Sequence, residues 1–166
     1  MKQYRDIGFV VPLHEELLRL ERFFPKTSDR TLGSVYVAEL DLELSGLKAV
    51  AALQDDMGKA AATRAADSLL SEYELGLVVV VGIAGGISND VAVGDVCFTG
   101  TIIDVLENAK VGDARDGGQE LEYDTRFYNT DQRTTFALRY SKIGMDVIGR
   151  FESWQLERHY AAKELI

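Results

Sequence analysis

Two glutamates and a run of small residues are the parts of this chain best suited to chemistry. Glu15 and Glu16 follow shortly after an apolar run at residues 7–11. A carboxylate in that position can serve as a general acid or base at the carboxyl edge of a sheet. It can equally do no more than complement the dipole at a helix N-terminus. The small residues are Gly82, Ile83, Ala84, Gly85 and Gly86, and they follow five consecutive branched apolar residues at 77–81. Apart from Ile83 none has a bulky side chain, so a ligand can approach the backbone closely and meet its N–H groups. Ligands of open α/β sheets bind beyond the carboxyl ends of strands. A small-molecule site is therefore expected at residues 82–86.

Other reactive groups have simpler readings. Asp55 and Asp56 are paired carboxylates, but they abut Met57-Gly58-Lys59 at a helix start, so N-capping is expected of at least one. The glycine cluster lacks the G-x-G-x-x-G spacing of a dinucleotide site and the Gly-Lys-Ser/Thr of a P-loop. Asp95, after Gly94, reads as a turn residue. Cys97 is the only cysteine, which excludes an internal disulfide and a cysteine metal cluster. With no His, Lys or Arg beside it in sequence, a buried structural thiol is expected. His14 and His159 are the only histidines and have no metal-ligand spacing. The expectation is no metal and no cofactor.

The elements that must position these groups follow from periodicity. Residues 7–11 read as a buried first strand. Pro12 can open a helix, and Leu13, Leu17, Leu20 and Phe24 recur at helical spacing with Glu15, Arg19 and Arg22 turned to solvent. Pro25 ends that helix, and residues 26–34 look polar and turn-like. Residues 34–40 and 41–47 resemble a hairpin or two neighbouring strands, and 48–53 another strand. The Ala/Leu-rich stretch 59–73 predicts a helix with Ala62, Ala66, Leu69 and Leu70 on one face. Residues 77–81 need burial on both faces, as in a central strand of a covered sheet. A further strand is expected over 93–101, in the stretch that reaches Ile103. Residues 107–131 are polar and read as a long loop or insertion. The tail from Thr134 has Ile143, Val147, Ile148, Phe151, Trp154 and Leu156 at roughly helical intervals, which predicts one or two helices. Strands alternating with helices, plus consecutive strands over 35–53, predict a single-domain three-layer α/β/α sandwich with a mixed sheet.

With 166 residues, 46% hydrophobic and 27% charged, the chain can bury a real core. A formal net charge of −9 argues against a nucleic acid or an anionic membrane as partner. It leaves room for a neutral nucleoside, or for one anionic group held by backbone amides. The apolar run after the mixed-charge N-terminus is short and meets Pro12, so no signal peptide is expected. No apolar segment reaches the ~18 residues of a membrane span, and a cytoplasmic location is expected.

Three segments together resemble the nucleoside phosphorylase superfamily, and most closely its methylthioadenosine/S-adenosylhomocysteine nucleosidases. The first is Ile7-Gly-Phe-Val-Val-Pro-Leu-His-Glu-Glu-Leu, similar to the family's opening strand and run of glutamates. The second is Met57-Gly58-Lys59 with Ala60, Ala61 and Ala62, similar to a Gly-x-Gly-Lys-x-x-Ala-Ala helix start. The third and most specific is Val81-Gly-Ile-Ala-Gly-Gly followed in order by Val91-Ala-Val-Gly-Asp-Val. The similarity covers residues 7–104, leaving 105–166 as a divergent loop and helical tail.

The resemblance implies cleavage of a purine nucleoside N-glycosidic bond in a three-layer α/β/α fold. It places the glutamate that activates the attacking water on Glu16. It puts Leu13, Ile83, Ala84, Gly85 and Gly86 along the substrate pocket. Phosphorylases of the superfamily carry a Gly-Asp-Pro-x-x-Arg type opening that holds phosphate. Here Val11-Pro12-Leu13-His14-Glu15 stands in its place without arginine, which favours water over phosphate as nucleophile. Related nucleosidases often have serine where this chain has Ile83. The family's second half, with its Met-Glu ribose clamp and its proton-donating aspartate, has no counterpart here. Met145-Asp146 and Phe151-Glu152 stand in no matching context. A truncated or split member is therefore expected, a homo-oligomer or one whose site a second chain completes. The alternative is a non-catalytic nucleoside- or nucleotide-binding module, or a partial subunit of such an enzyme.

Overall fold

A computed structural model of the chain describes residues 2–42, 46–104, 110–113, 119–122, 125–140 and Ser153. The chain forms two compact units, Met1–Gly85 and Gly86–Ile166. The first holds β1 (Gln3–Val11), α1 (His14–Phe23), β2 (Lys26–Leu32), β3 (Val35–Leu42), β4 (Leu47–Leu53), α2 (Lys59–Glu72) and β5 (Tyr73–Val80). Its five strands make one sheet in the order β2-β3-β4-β1-β5. β1 runs parallel to β4 and β5, while β2, β3 and β4 are joined antiparallel. The sheet is mixed, as expected.

Strand alternation sends side chains to two cores. Phe9 and Val11 of β1, Ala38 and Leu40 of β3, and Ala49 and Ala51 of β4 pack with Leu17 and Leu20 of α1. Val10, Val35, Val37, Val50 and Ala52 pack with Ala65 and Leu69 of α2 on the other side. One helix thus covers each face, which is the expected α/β/α layering. The buried stripe of α2 is Ala61, Ala65 and Leu69; of the expected Ala62, Ala66, Leu69 and Leu70, Leu69 is buried and Ala66 packs partly buried against the same core. Leu70 is exposed. Alanines at both 61–62 and 65–66 make two adjacent stripes nearly equivalent in sequence, and contact with the sheet selects one.

Several expected boundaries are corrected. Residues 26–34 are not a turn: β2 fills most of them, and the hairpin bend is at Gly33-Ser34. β2 has no apolar face to betray it, because as an edge strand it is exposed along nearly its whole length. Backbone pairing with β3 defines it instead. The break expected between strands 34–40 and 41–47 is not there, since Asp41 and Leu42 continue β3. β3 runs through Leu42, and its antiparallel neighbours are β2 and β4. The branched run 77–81 is not buried on both faces either. β5 ends at Val80, pairs only with β1 among the described residues, and exposes Val78 and Val80. Branching confers strand propensity whatever the strand's place in the sheet.

β1 and β5 share one irregularity that matters for the site. Their pairing skips the step at Asp6 and Gly76. A Cβ on Gly76 would lie 2.9 Å from the Asp6 carbonyl oxygen, so no side chain fits there. Below this point Tyr73 and Leu75 pack on the α2 side. Beyond it Val79 and Val81, of the same parity, pack on the α1 side. The end of β5 is therefore delivered toward α1.

The second unit contains β6 (Thr101–Asp104) paired antiparallel with β9 (Arg126–Asn129), β7 (Lys110–Asp113) paired antiparallel with β8 (Gln119–Glu122), and α3 (Gln132–Tyr140). The strand expected over 93–101 is absent among the described residues. Residues 93–100 have no ladder, and regular pairing begins only at Thr101. Val93, Val96 and Phe98 have the right composition, yet they are exposed and meet no partner strand. The polar stretch 107–131 is not simply a loop, since it contains β7, β8 and β9. The Asp131 carboxylate accepts the Thr134 N–H at 2.7 Å at the start of α3, which holds it below its ordinary pKa. Of the expected C-terminal helices, α3 is seen. The apolar series from Ile143 to Leu156, with Met145-Asp146 and Phe151-Glu152, lies outside the described residues.

A polar network ties α2 to the far edge of the sheet. Tyr73, immediately after α2, is 1% exposed. Its hydroxyl donates to Glu39 Oε1 at 2.8 Å and accepts from Arg30 Nη2 at 2.9 Å. Glu39 also binds Arg5 Nε at 2.6 Å. The Arg5 and Arg30 guanidinium carbons lie 5.5 and 5.3 Å from the Tyr73 ring centre, in cation–π range. Burial first, and then the hydrogen bond to Glu39, pushes the Tyr73 phenol above its ordinary value of 10.0, while Arg30 pulls it back in part. The neutral phenol is thus favoured by folding. Its contribution is complete below pH 10 and is lost as pH rises through the raised value. Tyr73→Phe should lower unfolding free energy by about 1–2 kcal/mol near neutral pH. It should also reduce the loss of stability above pH 10. Denaturant melts at neutral and alkaline pH check both outcomes.

Candidate active site

The parallel half of the sheet brings two chain reversals side by side. β1 ends at Val11 and turns through Pro12 and Leu13 into α1. β5 ends at Val80, with Val81 still donating to the Val10 carbonyl at 3.1 Å before Gly82. Because β1 and β5 are parallel neighbours, both carboxyl ends lie at the same edge.

Glu16 joins them. It is the third residue of α1 and lies in its first turn, where the helix dipole favours a negative charge. Its side chain turns back toward the sheet and is only 9% exposed. Oε2 accepts the Leu13 N–H at 2.9 Å, closing the helix N-terminus in the manner of a capping box. Oε1 accepts the Ile83 N–H at 2.6 Å, across 67 residues of sequence. Charge-assisted bonds of this kind are roughly twice as strong as neutral ones. Among the described residues no cation pairs with this carboxylate. A carboxylate has about four lone-pair sites. Two are used here, so each oxygen keeps capacity for one further donor, such as a water or a sugar hydroxyl.

Gly82 packs directly on the carboxylate. A Cβ at this position would lie 3.2 Å from Oε1, 3.3 Å from Oε2 and 3.1 Å from Pro12 Cγ. The glycine therefore has a steric reason that chain composition alone could not supply. Leu13 is the N-cap residue of α1 and is 37% exposed. The Ile83 side chain is exposed even though its amide is bound. Ala84 and Gly85 are exposed, and a Cβ on Gly85 would meet nothing within 4 Å. Gly86 begins the second unit, where a Cβ would approach Val91 Cγ1 at 3.3 Å. The structure thus unites Glu16, Leu13 and Ile83 in one small constellation. Pro12 and Gly82 belong to it too, although the sequence marked Pro12 only as a helix opener and Gly82 only as part of a turn.

The other reactive groups lie elsewhere. Neither Asp55 nor Asp56 caps α2, whose N-cap is Gly58 without a side-chain bond. Asp55 instead accepts from Arg64 at 2.7 and 3.0 Å and from Ser34 at 2.8 Å. The Arg64 guanidinium, and then the Ser34 hydroxyl, hold its carboxyl below the ordinary range. It sits too far ahead of the helix to reach the first amides. Asp56 accepts the neighbouring Met57 N–H at 2.7 Å. Asp95 accepts the Ala92 N–H at 2.8 Å, as a turn residue does. Cys97 is exposed, which corrects the expected burial, because the strand that was to bury it does not form in the described residues. Among the described residues no group of three His, Cys, Asp or Glu side chains could hold a metal ion. None of their helices is long and apolar enough to cross a membrane.

The Glu16 carboxylate is thus buried at the shared carboxyl edge of β1 and β5. The family model for the phosphorylase superfamily matches residues 6–144. The chain belongs to the phosphorylase superfamily. The match runs from β1 through α3, beyond the 7–104 stretch that carries the recognisable motifs. Membership places the protein among those that process nucleosides, with phosphate as a co-substrate in part of the superfamily. No curated protein matches the chain significantly.

The Glu16 bonds make a stability prediction that is independent of any reaction. The amide nitrogen of glutamine cannot accept a hydrogen bond, so Glu16→Gln leaves either Leu13 or Ile83 unbound. The cost should be about 1 kcal/mol, and about 2 kcal/mol for Glu16→Ala, which loses both. Denaturant unfolding should show this graded loss with an unchanged circular dichroism spectrum.

Proposed function

We propose that the protein cleaves the N-glycosidic bond of a purine nucleoside, with water as the nucleophile in preference to phosphate. The observation that carries this reading is the Glu16 carboxylate, buried and fixed by the Leu13 and Ile83 amides at the carboxyl edge of β1 and β5. Cleavage passes through an oxocarbenium-like state in which the sugar becomes positive. A preorganised carboxylate stabilises that charge. The same group, with lone pairs to spare, accepts a proton from water as its oxygen bonds to the sugar carbon, while the purine departs with the electrons of the broken C–N bond and takes its proton from solvent. Leu13, Ile83, Ala84 and Gly85 form an apolar and backbone wall along base and sugar. Water is favoured because no arginine lies in residues 11–15 to hold phosphate. The relationship to methylthioadenosine/S-adenosylhomocysteine nucleosidases belongs to the same proposal. So do a cytoplasmic setting and a homo-oligomer or second chain that completes the ribose and base contacts.

The test is free-base release from a panel of purine nucleosides, with and without inorganic phosphate. Release without phosphate is expected, and Glu16→Gln should reduce it by about 10²-fold or more, measured well below the melting temperature of the variant. Release that requires phosphate would make the protein a phosphorylase. No release from folded protein would favour a binding module in which Glu16 serves only as a cap and tether.

A further inference from the structure

The contacts around Glu16 divide into two kinds. Two N–H donors fix where its oxygens lie, from Leu13 at 2.9 Å and from Ile83 at 2.6 Å. The terminal torsion of a glutamate is intrinsically soft, so the carboxylate plane is set by these two bonds together with whatever packs against the oxygens. The second kind of contact is steric. Gly82 lies against both oxygens and against the Pro12 ring, with room for a hydrogen but not for a methyl group at ordinary distance. We infer that Gly82 and Pro12 are positioning residues: they form a rigid wall that sets the orientation of the Glu16 carboxylate toward the reacting water. This rests on the reading of Glu16 as the group that activates water.

The wall is stiff on one side and yielding on the other. Pro12 is a ring fused to the backbone between β1 and α1. Glu16 can turn about its last torsion. A methyl group at position 82 therefore displaces the carboxylate before it displaces the proline. The Ile83 amide, which Oε1 now binds, loses its acceptor in the same movement. Ile83 is otherwise exposed, so its amide is a sensitive reporter of where Glu16 lies.

The experiment compares Gly82→Ala, Pro12→Ala and the double variant with the wild-type chain. It measures base-release kinetics and hydrogen exchange at the Ile83 amide. Misplacing a catalytic group by a fraction of an ångström should lower kcat of Gly82→Ala by about tenfold or more. KM should change by less than about twofold, since substrate binding is not what the wall controls. Exchange at Ile83 should quicken in the same variant. Removing the Pro12 ring makes room for the methyl group, so the double variant should recover both kcat and Ile83 protection to the level of Pro12→Ala. Wild-type kcat in Gly82→Ala would overturn the inference. A fall in kcat with Ile83 exchange unchanged, or a double variant that recovers neither quantity, would also overturn it. If the wild-type protein releases no base, the hydrolytic reading fails by itself and the exchange data decide the steric point alone. Quickened exchange in Gly82→Ala, restored in the double variant, would uphold the wall, and unchanged exchange would remove it.

Discussion

The Ile83 N–H bound by Glu16 is the interaction on which the arrangement of this site depends. It links the first turn of α1 to the end of β5, two segments that are 67 residues apart in sequence. A carboxylate drawn out of water is costly unless its oxygens are satisfied. Glu16 offsets that cost with two backbone donors and a favourable place near a helix N-terminus. Each partner has a condition to meet. The α1 helix must start at His14, so that residue 16 can reach back to Leu13. β5 must arrive on the α1 side of the sheet, and it must then continue through a residue without a side chain.

The second condition is met by a local defect. At Gly76 the pairing of β1 with β5 is interrupted, and the inward face of β5 changes from the α2 side to the α1 side. A regular strand would have kept Val79 and Val81 with Tyr73 under α2. Gly76 and Gly82 are thus coupled through the geometry of one strand: the first redirects it and the second lets its end lie flat on a carboxylate. Neither role involves an unusual backbone angle. Both rest on close approach, where a Cβ would collide.

The two ends of β1 carry different kinds of polar structure. Near its start, Arg5, Glu39, Tyr73 and Arg30 satisfy one another and bind the end of α2 to β3 and β2. Such a closed network mainly confers stability and specificity of packing. Near its end, Glu16 is satisfied only by main-chain donors, with lone pairs left over. The difference is chemical: side-chain cations bring a counter-charge to a carboxylate, while amides orient it without one. The carboxyl end of the parallel pair thus holds a carboxylate with lone pairs left over, and the antiparallel half of the sheet acts as its support.

Much of this was legible in the sequence. The short apolar run of β1, the proline at its end, the 3.6-residue spacing of Leu13, Leu17 and Leu20, and the branched run before Gly82 each have one dominant physical reading. Together they determined the layer architecture and the two segments of the candidate site. Local patterns could not decide pairing. β2 is polar because it is an edge, and 93–100 is apolar without a ladder, so composition misread both. Adjacent alanines left two possible faces for α2. Asp55 resembled a cap until Arg64 was placed beside it. Helical spacing already turned Glu15 to solvent, but the tertiary structure alone decided that Glu16 holds the Ile83 amide, and that Gly82 is small because a carboxylate lies against it. Those facts depend on distances between residues remote in sequence, and no periodicity along a chain encodes such distances directly.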